Sequence, residues 1–166
     1  MLPDLFIILI IGPLLTAAFL AAFRQQHALQ CGLSLTVSAG LWVLSVLGLL
    51  YVLRHGIVVL RMGNWPAPYG IVLVADILSM VMVALTMTVA VAVILFSVRT
   101  VERERQEHFY YPLFFILLMG VNGAFLTGDL FNLFVFFEIL LIASFALLAL
   151  GSEPDQLRET VKYLVI

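Results

Sequence analysis

Charge is what this sequence lacks most. Asp, Glu, Lys and Arg supply 11% of its 166 residues, against about 25% in a soluble domain. That scarcity excludes an ordinary water-solvated globule. Net charge is −2, so there is no basic excess for a nucleic-acid partner. A lone cysteine, Cys31, excludes an internal disulfide, and it reads as a small buried apolar residue. No Walker loop, dinucleotide loop, CxxCH or cluster-binding cysteine set is present, so no cofactor is expected. His27, His55 and His108 share no ligand-like spacing, and no metal is expected. The first apolar run has no Lys or Arg ahead of it, carries Asp4 and is too long for a signal peptide.

What is present is apolar: 64% of residues are hydrophobic. The chain reads as an all-α polytopic membrane protein of five transmembrane helices plus the start of a sixth. The spans are placed at about 5–23, 29–53, 74–98, 109–127 and 130–150. Each is near the ~20 residues that a tilted helix needs to cross a bilayer. Gly12-Pro13 marks a kink in the first. Glu153-Pro154-Asp155 ends the fifth, and the sixth begins near residue 156. Residues 1–166 are therefore expected to be one unit, the N-terminal part of a longer transmembrane domain.

Arginine and lysine set the expected orientation. Arg24, Arg99, Arg103, Arg105, Arg158 and Lys162 fall on one side, and only Arg54 and Arg61 on the other. The N-terminus is expected outside. Between spans two and three, the β-rich runs 56–62 and 69–74 flank a Gly-Asn-Trp-Pro-Ala-Pro cluster, which predicts an outer β-hairpin with a long turn. Trp65 and Tyr69 suit the headgroup zone. Asp76, at the outer start of span three, reads as a helix cap.

Span four carries Gly120, Gly123, Ala124 and Thr127 at spacings of three and four, a face on which another helix can approach closely. Asn122 is its polar residue; it is expected to point inward, as packing support or as lining of a water path. Span five carries Glu138. A carboxylate in mid-membrane costs about 2.5–3.5 kcal/mol even on mild insertion scales. Counting from Leu130, it lies about 12 Å along the helix, close to the midplane of a ~30 Å hydrocarbon core. The expectation is a proton or ion site facing the protein interior. No Lys or Arg occurs between Phe109 and Leu150 to pair with it. Asp129 and Asn132, at the outer end of span five, are candidates for lining a path, with helix-start chemistry an equal explanation for Asp129.

Three stretches carry a family resemblance: GNWPAPYGIVLVAD, the run FYYPLFFILLMGVNGAFLTGDLFNLFVFFEILLIASFALLALG, and LRETVKYLVI. They resemble the D subunits of Mrp- or Mnh-type multisubunit monovalent cation/proton antiporters. These are related to the antiporter-like membrane subunits of respiratory complex I and membrane-bound hydrogenases. The resemblance implies a subunit of a hetero-oligomeric complex in a prokaryotic cell membrane, an ion carrier rather than an enzyme, moving protons and monovalent cations, Na+ foremost. It implies that Glu138 matches the family's key glutamate. The lysine that pairs with that glutamate sits on a later, broken helix absent from this chain; Lys162 is not its equivalent. Two alternatives stay open: a proton-translocating subunit of a redox complex, and a truncated, non-transporting scaffold.

Overall fold

A computed structural model of the chain describes residues 6–65, 70–101, 108–150 and 160–161. Its architecture is helical, with one small sheet. The elements are α1 (Ile8–Ala22), α2 (His27–His55), β1 (Val58–Arg61), β2 (Val72–Ala75), α3 (Ile77–Thr100), α4 (Tyr110–Leu126) and α5 (Leu130–Ala149). Helices α2, α3 and α5 are long and apolar enough to cross a membrane; α1 and α4 are apolar but shorter, at 15 and 17 residues. The chain is thus a multi-pass membrane protein. The expected start of the sixth helix falls mostly outside the described residues.

The expected hairpin is present. Strands β1 and β2 pair antiparallel, with Val58 opposite Ala75 and Arg61 opposite Val72. One expectation needs correction here. Hydropathy puts the start of span three at Val74, but Val74 and Ala75 belong to β2 and the helix starts at Ile77. Their apolar character suits strand and membrane helix alike, so hydropathy does not separate them. Asp76 supplies the boundary. Its Oδ1 accepts from the Ser79 backbone N–H at 2.7 Å, and its own N–H donates to Ser79 Oγ at 2.9 Å. This reciprocal capping box satisfies donors that the first turn would otherwise leave open.

Helix α4 is the centre of the bundle, packed against α1, α3 and α5, while α2 packs against α3. Tyr111, Phe115, Leu118 and Leu126 of α4 are buried with Leu9 and Leu20 of α1 and Met80, Met87 and Ile94 of α3. Pro112 falls in the first turn of α4, where its missing N–H leaves no bond unmade. The α4–α5 turn is stitched to the hairpin: the Gly128 N–H donates to Val72 O at 2.7 Å, and Thr127 bridges Leu73. At the opposite end, the Arg24 guanidinium lies 5.3 Å from the centre of the Phe109 ring.

The expectation for Cys31 is also refined. It is half-buried, not sealed, and its Sγ lies 3.3 Å from Tyr111 Oη and 3.8 Å from both ring nitrogens of His27. The thiol thus ties α2 to α4 through polar contacts.

Candidate functional site on helix α5

Helix α5 meets α4 through small residues. An added Cβ on Gly120 would lie 2.9 Å from the Leu140 backbone nitrogen, and one on Gly123 would fall inside the Phe136 ring. The two helices are therefore in near-backbone contact, as the spacing of small residues predicts. Ala124 turns elsewhere. It lines a groove of about 530 Å³ with Val74, Asp76, Ser79, Met82 and Thr127. Glu138 does not line that groove.

The start of α5 is a compact polar knot. Asp129 is the N-cap, its Oδ1 accepting from the Asn132 N–H at 2.6 Å. The Asn132 amide donates back to Thr127 Oγ1 at 3.0 Å. A carboxylate at that position also meets the positive end of the helix dipole. Capping therefore accounts for Asp129 and Asn132 as they stand. One oxygen, Asp129 Oδ2, is buried without a partner among the described residues.

Glu138 stands apart from this knot. It is the ninth of the twenty residues of α5, about 12 Å along from Leu130. The face that α5 turns to the bundle holds Asn132, Phe136 and Ala143. Glu138 projects from the opposite side and is exposed. Its neighbours one and two turns away are apolar and also uncovered: Phe131 is 78% exposed, Phe134 61% and Ile142 65%. The expected inward orientation is thus not provided by these five helices. The reason is geometric: α5 has one buried face, the glycines of α4 take it, and Glu138 lies roughly half a turn away. Among the described residues no side chain pairs with its carboxylate.

Asn122 is fully buried on α4, and its Nδ2 donates to the backbone carbonyl of Leu9 at 2.8 Å. Its Oδ1 has no partner among the described residues. Asn122 therefore points inward as expected, but toward α1 and not toward Glu138. The structure brings Asp129 and Asn132 together and leaves Asn122 and Glu138 each in a separate place. Sequence reasoning missed four interhelical polar contacts: Asn122 to Leu9, Gln30 to Leu20, Cys31 to Tyr111, and the Trp42 indole to Thr88 Oγ1 at 2.9 Å. Only Pro13 gave a hint of the first.

No family model matches the chain. It is 48% identical over 163 residues to the D subunit of a Na(+)/H(+) antiporter of Alkalihalophilus pseudofirmus, covering 98% of this chain and 33% of that protein. In structure it resembles a chain of the Mrp complex from Dietzia sp. DQ12-45-1b, with a TM-score of 0.92, 28% identity, and coverage of 99% of this chain and 31% of the other. It also resembles a chain of the membrane-bound sulfane sulfur reductase, an archaeal respiratory membrane complex, at a TM-score of 0.90 and 28% identity, covering 96% of this chain and 33% of that one. The chain thus spans about a third of the length of the proteins it matches. By sequence and by fold together, the chain is similar to about a third of an antiporter D subunit.

Proposed function

We propose that this chain forms part of a membrane subunit of a multisubunit monovalent cation/proton antiporter, and that Glu138 loads and releases the transported proton. The observation that carries this reading is the placement of Glu138: mid-helix, on an apolar face that the five helices leave open. A carboxylate turned to lipid there costs about 2.5–3.5 kcal/mol. The cost is relieved if protein covers the face and offers a donor or a water-filled cavity, because a carboxyl in such surroundings can hold or lose its proton as its neighbours change. The relative from Alkalihalophilus pseudofirmus is about three times as long, which leaves ample protein to form that cover. Asp129 and Asn132 cap the helix that carries the site, and Asn122 supports the helix behind it.

The excess of Arg and Lys on the α1–α2 and α3–α4 loops supports an N-terminus and a hairpin outside a prokaryotic cell membrane. The partners are the other subunits of the complex, the bilayer, protons and a monovalent cation, with Na+ favoured by the name of that relative. In this reading the chain is a carrier component and not an enzyme. A second reading, a proton-translocating subunit of a redox complex, draws on the likeness to the respiratory membrane complex. The higher identity to the antiporter relative favours the first.

The test uses the full-length complex in membrane vesicles. Glu138→Gln keeps shape and hydrogen bonding but removes the titrating group. It is expected to abolish proton flux driven by added sodium, with assembly nearly normal. Glu138→Asp, shorter by one methylene, is expected to keep partial flux. Wild-type flux from the Gln variant, normalised to assembled complex, would sink the proposal.

A further inference from the structure

Pro13 lies inside α1. A proline has no N–H to give to the carbonyl four residues back, and its ring pushes that carbonyl aside. The carbonyl in question belongs to Leu9, which is wholly buried. Water cannot reach it, and a buried carbonyl without a donor is costly. The Asn122 amide of α4 donates to this same carbonyl, at 2.8 Å across 113 residues of sequence.

We infer that Asn122 is a positioning residue that replaces the N–H missing at Pro13, so that the proline and the asparagine act as one device locking α4 onto α1. A second contact repeats the logic at the end of the same helix. Leu20 O lies among the last four carbonyls of α1, which have no donor within the helix. The buried Gln30 of α2 points its Nε2 at it, at 3.4 Å. Helix α1 is thus held by amide side chains at two places where its own ladder fails.

The device matters for the rest of the bundle because Asn122 is flanked by Gly120 and Gly123, which seat α5. A shift of α4 on α1 moves the platform on which α5 rests. The inference does not depend on what Glu138 does. Its readout is assembly, so its failure leaves the proton-site reading standing.

The experiment is a double-substitution cycle in the full-length complex, scored by the yield of assembled complex from detergent extracts. Asn122→Leu keeps approximate size but removes the donor. It is expected to lower the yield about tenfold, the scale of one buried carbonyl left unsatisfied. Pro13→Ala and Pro13→Leu each restore an N–H within α1. In either background, Asn122→Leu is expected to cost no more than about twofold, since the carbonyl then has its own donor. An equal loss from Asn122→Leu in all three backgrounds would overturn the inference. If neither proline replacement assembles while Asn122 is intact, the bend itself is what the fold requires, and the inference is overturned as well.

Discussion

Gly120→Ala is the most economical probe of the α4–α5 contact. The new methyl would sit 2.9 Å from the Leu140 backbone nitrogen, 3.0 Å from its Cβ and 3.1 Å from its Cα. Two of these atoms are backbone, so no rotamer change relieves the contact. Ordinary carbon contacts lie at about 3.5–4.0 Å, so the helices must part by roughly half an ångström. A gap of that size forfeits about a quarter of the dispersion energy along the seam. Overpacking of this kind costs about 1–3 kcal/mol. Alanine returns up to about 1 kcal/mol through its better helix propensity. From the middle of the overpacking range, about 2 kcal/mol, the net loss is about 1–2 kcal/mol, or roughly five- to thirtyfold in a folding or assembly equilibrium. The assay is survival of assembled full-length complex after heating in detergent, read by size-exclusion chromatography. Gly40→Ala is the control, because nothing lies within 4 Å of its added Cβ; it should be neutral or mildly stabilising. If Gly120→Ala survives heating as well as Gly40→Ala does, the close approach of the two helices is refuted.

Two further predictions address other regions. Asp76→Ala removes one half of the capping box with Ser79 and should cost about 1 kcal/mol, seen as a lower thermal midpoint of the complex, whereas Asp76→Asn should keep most of that stability. For orientation, with Cys31 replaced by Ser, a cysteine at the exposed Met62 should react with an impermeant thiol reagent added outside cells, and one at the exposed His108 should not; the reverse pattern would invert the topology.

Much of this fold is legible because bilayer-crossing helices are announced locally. Length and hydropathy fix α2, α3 and α5 without reference to any partner. The glycines of α4 are legible for a similar reason, since a face without side chains has few uses other than close approach. The boundary at Asp76 is half legible. Its capping chemistry shows in the sequence, yet the end of β2 reads as helix, because Val72–Ala75 is as apolar as the span it precedes. Which way a side chain faces is settled by packing between distant segments. Glu138 shows this: its depth follows from counting, but its direction depends on which face of α5 the α4 glycines capture. Asn122 shows it again, because its partner is a backbone atom 113 positions away. Pro13 announces a broken ladder without saying what mends it.

The seam between the hairpin and the α4–α5 turn has a mechanical consequence. At that end of the bundle, chain segments are joined through main-chain atoms: β1 to β2, and β2 to residues 127–128. Side-chain contacts can slide and re-form, but a run of main-chain bonds resists sliding. The hairpin end would therefore act as a clamped pivot, and any relative tilting of the helices would be largest at the far end, by Arg24 and Phe109. A helix of about 30 Å rocking by about 5° on such a pivot displaces its free end by about 2.6 Å. Movement in this part of the bundle should be asymmetric, nearly still beside the hairpin and largest where α1 turns into α2.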